Sequence, residues 1–299
     1  MDAYHVPVLL EESIEGLNIR PYGIYVDVTY GGGGHSEKIL ERLKGGKLIA
    51  FDQDIDAKVN LSDDVRLIFI RHNFKYIRHF LRYYQIEKVD GILADLGVSS
   101  HDFDVPDRGF SFRFQGNLDM RMNQSAVLDA SKVINEYTET QLWTIFQEFG
   151  EIKNWRHLVS LITAARSVEP ITTISQFLKV IEPCVPARIR KKYLAMVFQA
   201  LRIEVNNEIG VLRDFLECTI KMLKPGGRLV VLSYHSLEDR IIKNFMRSGR
   251  IDGVLDNDFF GNLTSPFELI NRKIITPRES EIELNPRARS AKLRIAEKR

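Results

Sequence analysis

The stretch Gly23-Ile-Tyr-Val-Asp-Val-Thr-Tyr-Gly-Gly-Gly-Gly-His-Ser36 limits what this chain can fold into more than any other: an apolar, β-branched run passes straight into four glycines and then into a helix start. β-Branched residues favour an extended strand. Glycines, lacking a Cβ, let the backbone turn sharply and approach a ligand closely, and the helix that follows offers free N–H groups at its start. A second apolar run, Lys47-Leu-Ile-Ala-Phe51, delivers Asp52 at its end. That is about twenty residues past the glycines, where a carboxylate accepts both hydroxyls of a ribose. The glycines alone read as a tight surface turn. The acid at the next strand end turns the reading toward a pocket for a nucleotide-like cofactor.

The dinucleotide fingerprint places a third glycine three residues after the second. Here Ser36 stands at that spacing from Gly33. A third run, Val65-Arg-Leu-Ile-Phe-Ile70, leads into Arg71-His-Asn-Phe74, whose aromatic offers a flat apolar face to an adenine, and a fourth run ends in Asp95. S-adenosylmethionine fits this order better than NAD. It has no pyrophosphate to neutralise, so the loop serves its methionine end and Asp52 its ribose. On composition alone Phe74 is an ordinary core aromatic.

With 299 residues, 44% of them hydrophobic, the chain can bury a large core or a core plus a sizeable insertion. Strand and helix patterns alternate through the first hundred residues, which predicts an α/β fold with a mostly parallel, doubly wound, Rossmann-like sheet. From about Arg108 to Glu204 the pattern is helical, with helices expected over Glu139 to Gly150, Asn154 to Ser167, Ile174 to Ile181 and Lys191 to Glu204. The sheet resumes, after a helix Glu208 to Leu223, at Lys224-Pro-Gly-Gly-Arg-Leu-Val-Val-Leu-Ser233. The expected division is residues 1–107 with 206–299 as the sheet domain and 108–205 as an inserted all-helical domain. Phe267 to Ile275 and Ala291 to Ile295 are further strand candidates, suited to an antiparallel edge. No apolar run is long enough to span a membrane, and the first ten residues lack a basic, apolar leader, so a cytoplasmic location is expected. Cys184 and Cys218 match no metal-site spacing, and no metal is expected.

Ligands of open α/β sheets bind outside the carboxyl ends of the strands. Asp27 lies inside the first strand, Asp52 ends the second, Asp95-Leu-Gly-Val-Ser-Ser100 leaves the fourth, and His235 and Ser236 leave the fifth. Ser236 with Asp239 three residues on reads as a helix capping box. His235 suits a structural role and a substrate contact equally. Net charge is only +2, but Arg188, Arg190, Lys191 and Lys192 cluster, as do Arg287, Arg289, Lys292, Arg294, Lys298 and Arg299. Such clusters are solvated faces or, beside a cofactor pocket, contacts for a polyanion.

Together these residues resemble a known family, the bacterial 16S ribosomal RNA (cytosine-N4)-methyltransferases of the MraW type. The resemblance rests on His5 to Leu10, Asp27 to Ser36, Asp52-Gln-Asp54, Asp90 to Ser100, Arg108-Gly-Phe-Ser-Phe112, Leu118 to Met122, Phe198 to Asn206, Ser233 to Arg240 and Asn285 to Ser290, in that order along nearly the whole chain. It implies a class I methyltransferase fold with an inserted helical domain, S-adenosylmethionine as cofactor, and methylation of the exocyclic amine of a cytidine in the decoding region of the small ribosomal subunit. Carried over by position, the cofactor contacts fall on Gly33, Gly34, His35, Asp52, Phe74, Asp95 and Asp102. The implied partner is 16S ribosomal RNA within the small subunit, with no DNA and no membrane, and a homodimer is a candidate assembly. One departure stands out: relatives usually carry His-Pro-Ala-Thr-Arg-Thr before Phe-Gln-Ala, and here those positions read Lys192-Tyr-Leu-Ala-Met-Val197.

Methyl transfer to an amine is an in-line displacement for which the protein mainly positions the reactants. An acceptor for the amino proton lowers the barrier as the nitrogen becomes tetrahedral. Asp95 is the principal candidate, His235 a tentative second, and Ser99 and Ser100 are weaker ones. The base must leave its stack to reach the methyl group, and Phe110 and Phe112 are candidate walls, though packing explains both. RNA contacts are assigned to Arg188, Arg190, Lys191, Lys192, Arg287 and Arg289. Three alternatives stay open: a cytosine-C5 methyltransferase, for which Cys184 is the superficial nucleophile; a methyltransferase acting on another RNA, a protein or a small molecule; and a non-catalytic, cofactor-binding assembly factor.

Overall fold

The apolar runs become a seven-stranded sheet in the order β3-β2-β1-β4-β5-β7-β6, in a computed structural model that describes residues 7–54, 57, 61–97, 103–261 and 264–299. The strands are β1 (Ile24–Asp27), β2 (Lys47–Asp52), β3 (Leu67–Arg71), β4 (Val89–Asp95), β5 (Leu223–Ser233), β6 (Phe267–Leu269) and β7 (Lys292–Lys298). β1 to β5 run parallel, and β7 lies antiparallel between β5 and β6. This is the doubly wound, Rossmann-like sheet expected. In β4 every residue is buried except its last, Asp95, as a strand covered on both faces requires. Helices α1 (Leu10–Leu17), α2 (Gly34–Arg42) and α3 (Ile77–Tyr83) belong to this half of the chain. The strand order reverses between β1 and β4, so the switch point lies between the ends of those strands.

The antiparallel edge forms, but its first strand is short. Phe267 to Ile275 pairs regularly only as far as Leu269, because the Asn271 side chain takes over the next ladder positions. Its Oδ1 accepts the Ile295 N–H at 2.7 Å and its Nδ2 donates to the Leu293 carbonyl at 3.1 Å. Ile275 returns only as a single bridge to Leu293.

The chain divides into two compact units, Met1–Gly97 with Gly210–Arg299, and Val98–Ile209. The second is helical: α4 (Ala130–Glu136), α5 (Glu139–Thr144) continuing through a π turn at Ile145–Phe149, α6 (Trp155–Arg166), α7 (Ile174–Ile181) and α8 (Arg190–Asn206). Thr138 with Gln141 and Thr173 with Gln176 close capping boxes that start α5 and α7. Phe146, Leu158, Phe177, Val197 and Leu201 are fully buried in its core. Phe110 is 4% exposed in that core, and Phe112 packs edge-on against Phe198. Tyr193, Leu194 and Val197, from the stretch that departs from the family pattern, also point into it. That stretch therefore contributes packing, with the Tyr193 hydroxyl donating to Asn154 Oδ1 at 2.9 Å.

Gly109 fixes the entry to this unit. Its φ is +76°, and a Cβ there would lie 2.7 Å from both the Asn117 carbonyl oxygen and the Asp119 nitrogen. Both neighbours are backbone and cannot swing aside. Gly109→Ala is expected to destabilise the protein by about 1–3 kcal/mol. Urea unfolding checks this, and an unchanged midpoint would mean the loop absorbs the Cβ.

The sheet unit is completed by α9 (Glu208–Met222), α10 (Ser236–Ser248) and α11 (Glu279–Leu284). The capping box expected at Ser236 is displaced by one residue. α10 begins at Ser236 but is capped by His235, because the His235 backbone is extended and its ring, not the serine hydroxyl, reaches the Glu238 N–H.

Candidate active site

Backbone geometry at the glycine loop sets the site. Gly33 sits at the N-cap of α2 with φ +82°, and a Cβ there would meet the Tyr30 hydroxyl at 2.7 Å. Only glycine fits that turn. Ser36, standing where the dinucleotide pattern wants glycine, is buried one turn into α2 and donates from Oγ to Asp27 Oδ2 at 2.7 Å. Asp27 closes β1 and also accepts the Thr29 N–H at 3.0 Å and, more weakly, the Thr29 hydroxyl at 3.4 Å. Burial pushes its carboxyl above the usual range, opposed by the nearby His35 and by the hydrogen bonds from Ser36 and Thr29. The Thr29 hydroxyl in turn accepts the Asp95 N–H at 2.7 Å. Loop, β1 and the end of β4 are thus one hydrogen-bonded unit.

Asp52 ends β2 and is braced from both sides. Its Oδ2 accepts the Gly31 N–H at 2.8 Å and its Oδ1 accepts the Asp54 N–H at 2.9 Å. An ionised carboxylate has about four acceptor positions, so two stay open for ligand hydroxyls. Desolvation pushes this carboxyl up to about 6, against the two backbone hydrogen bonds. The end of β3 is tied to the same rim, where Asn73 Nδ2 donates to Gln53 Oε1 at 2.9 Å. Phe74 follows, partly exposed, with its ring edge-on to Phe215 of α9 at 5.3 Å.

At the switch point Asp95 Oδ1 accepts the Gly97 N–H at 3.3 Å, and Oδ2 lies 4.0 Å from His35 Nδ1. The His35 ring is buried, and its Nε2 sits 3.2 Å from the Val8 carbonyl, which assigns the ring proton to that nitrogen. Gly34 packs under Pro7, 2.2 Å from where a Cβ would stand. The Tyr234 phenol, just past β5, lies close enough to the Asp95 carboxylate to feel its charge. Burial and that carboxylate hold Tyr234 well above its ordinary range, so the phenol keeps its proton at any working pH. The Tyr234 N–H is itself fixed by Glu238 Oε2 at 2.9 Å.

Thr29, Tyr234 and Glu238 are the members that sequence reasoning did not single out. Tyr234 lies in the Ser233 to Arg240 motif directly after a strand end, the position at which open α/β sheets place ligand contacts. His235 turns away from this cluster toward its own helix. Its Nδ1 accepts the Glu238 N–H at 3.4 Å, and its Nε2 lies 3.1 Å from Glu238 Oε1 without hydrogen-bond geometry. Ser99, Ser100 and Asp102 lie outside the described residues.

The acids Asp52, Asp54 and Asp95 stand at or just past the ends of β2 and β4, while Asp27, closing β1, is fully buried. Such a rim repels a pyrophosphate and suits a ligand carrying ribose hydroxyls and a cation. That donor set fits S-adenosylmethionine, whose sulfonium and ammonium are positive.

Among the basic residues, Arg188, Lys191 and Lys192 are exposed, and Arg190 is exposed but paired with Glu182. Arg287 and Arg289 are exposed. Lys292 and Arg294 are not a free extension of that cluster: they lie in β7, where both are bound to Asp239, at 3.2 and 2.7 Å. No helix among the described residues is long and apolar enough to cross a membrane.

A model of the MraW methylase family matches residues 2–299. A protein of Bacteroides thetaiotaomicron named ribosomal RNA small subunit methyltransferase H is 58% identical over 297 residues, covering 99% of this chain and 98% of its own. A protein of the same name from Flavobacterium johnsoniae is 54% identical over 296 residues, with 99% and 98% covered. A solved rRNA methylase structure from Streptococcus thermophilus matches with a TM-score of 0.43 and 12% identity, covering 98% of each chain.

Proposed function

Because the chain belongs to the MraW methylase family and is an S-adenosylmethionine-dependent methyltransferase, we propose that it methylates ribosomal RNA of the small subunit, at the N4 amine of a cytidine in the decoding region of 16S rRNA. The observation that carries the reading is Asp95: a partly buried carboxylate at the switch point, accepting the Gly97 N–H through Oδ1 and standing beside the Tyr234 phenol.

When bound, the cofactor supplies a methyl group already activated on a sulfonium. Asp52 holds the ribose hydroxyls on its two open acceptor positions, and the loop at Gly33 and Gly34 lies against the methionine end. His35 braces that loop through Val8. Phe74 offers the edge of the adenine slot. Asp95 accepts a hydrogen bond from the N4 amine as its nitrogen becomes tetrahedral, and takes the proton that leaves when the new carbon–nitrogen bond has formed. His235, engaged with Glu238, serves as a helix cap. Asp102 stays assigned to the cofactor by family position.

The thiols speak against the cytosine-C5 alternative, which needs a nucleophilic thiolate. Cys184 is buried in the helical unit, its Sγ 3.0 Å from the Ile181 carbonyl, and burial pushes its thiol up. Cys218 is likewise pushed up by burial.

Arg188, Arg190, Lys191 and Lys192, with Arg287 and Arg289, are proposed to meet RNA phosphates. Neutralising both clusters is expected to raise the KM for small-subunit particles about tenfold or more and to flatten the salt dependence of methylation, with cofactor affinity unchanged. Labelled-methyl incorporation into purified particles across a salt series, followed by nucleoside analysis, tests this and the reaction together. Label in N4-methylcytidine supports the reading; label in a C5-methylated base, or none, overturns it.

A further inference from the structure

We propose that the exposed face of α3 and the turn before it form a further docking strip for unpaired substrate RNA beside the target nucleotide, an inference that rests on the RNA reading above.

Between Asp64 and Glu87 the chain carries no acid, yet it carries Arg66, Arg71, Lys75, Arg78 and Arg82. Arg66 is tied to Asp64, which leaves four cations. The sheet does not require them. Burial of this segment is supplied by Ile77 and Leu81, while Lys75, Tyr76, Arg78, His79, Arg82 and Tyr83 are exposed. Among the described residues no carboxylate lies within ion-pair distance of Arg71, Lys75, Arg78 or Arg82. The acids Asp214 and Glu217 of α9 share Cys218 as a neighbour with Arg78, and neither pairs with it.

Helix surfaces ordinarily place opposite charges three and four residues apart; like charges at those spacings are destabilising. Here Lys75 with Arg78 and Arg78 with Arg82 repeat the same sign at those spacings. An external anion relieves that repulsion.

The aromatics define which anion. Tyr83 is 78% exposed and Tyr76 36% exposed, both interleaved with the cations. The Lys75 ammonium lies 4.8 Å from the Tyr76 ring centroid, and Tyr83 meets Tyr84 edge-on at 5.1 Å. Exposed rings between mobile cations form a stacking platform for bases whose phosphates the cations track. A membrane surface would instead ask for exposed aliphatics, and here Ile77 and Leu81 face inward. A small phosphate would need no rings.

The strip also begins at the right place. Arg71, its first cation, pairs in register with Asp52, the ribose carboxylate, so the strip starts at the cofactor rim. It then follows α3 for about 10 Å, the reach of a few nucleotides.

The test uses the full chain with small-subunit particles purified from cells lacking it. Arg78→Ala with Arg82→Ala is expected to raise the KM for particles about tenfold and to reduce the slope of log affinity against log salt by about 1.4, the loss of two single-strand phosphate contacts. Tyr83→Ala is expected to raise KM about fivefold or more, the loss of one stacked base. Arg78→Lys with Arg82→Lys, and Tyr83→Phe, should restore most of the wild-type KM, and calorimetric affinity for S-adenosylmethionine should match wild type throughout. Wild-type KM and salt slope in the alanine variants would overturn the strip, as would parallel losses of cofactor affinity, which would make α3 a support for the pocket. Failure of the wild-type protein to methylate any particle is a different result: it overturns the RNA reading itself, and the strip with it.

Discussion

Replacing Asp95 by Asn is expected to lower turnover by at least about a hundredfold, the scale of a lost proton acceptor, while changing S-adenosylmethionine affinity much less. The amide keeps the shape of the carboxylate, and its oxygen can still accept from the Gly97 N–H. What it loses is the charge and the capacity to take a proton. Single-turnover methylation and calorimetry on the same preparation separate the two effects. Equal losses in both would reduce Asp95 to a cofactor contact, and the proton acceptor would have to be sought elsewhere.

Asp52→Ala is expected to weaken cofactor binding by roughly 1.5–3 kcal/mol, the range for hydrogen bonds to a charged group, which is about 10- to 150-fold in Kd. The same residue gives binding a pH dependence. Its carboxyl titrates at about 6 in the free protein, raised chiefly by desolvation. The ribose hydroxyls favour the ionised form, so affinity should be flat above that pH and fall toward tenfold per unit below it. The stability of the free protein moves the other way. A carboxyl raised on folding contributes stability that is fully present below its unfolded value of 3.8 and is lost as pH rises through about 6. Calorimetry from pH 5 to 8 reads the first effect, and in Asp52→Ala the acid-side decline should vanish. A wild-type affinity that does not change across that range would remove Asp52 from the ribose site.

Strand identity was legible in the sequence wherever burial on both faces demanded an unbroken apolar run, as in Lys47 to Phe51 and Asp90 to Asp95. The acids closing those runs were legible for the same reason, since parallel strands end in a shared rim. The edge was less so. Nothing in the composition of Phe267 to Ile275 says that an asparagine side chain will replace its backbone in the ladder. Capping at α10 was misplaced because serine is the commoner cap, whereas the extended backbone at His235 put an imidazole nearest the free N–H. The place of Tyr234 beside Asp95 is not legible in the sequence because it depends on β4 and β5 being neighbours, a contact between residues far apart in the chain. The C-terminal cluster holds fewer free cations than its composition suggests for a similar reason: Asp239, distant in sequence, engages Lys292 and Arg294 once β7 enters the sheet.

We propose that this chain transfers a methyl group to a cytidine N4 of 16S rRNA with Asp95 as the proton acceptor. Nucleoside mass spectrometry of small-subunit rRNA, from cells lacking the gene and from the same cells carrying either the wild-type or the Asp95→Asn form, tests it most directly. N4-methylated cytidine is expected to be missing without the gene, to return with the wild-type chain, and to stay at or near the deleted level with Asp95→Asn. Unchanged N4-methylcytidine in the deleted cells, or full restoration by Asp95→Asn, would contradict it.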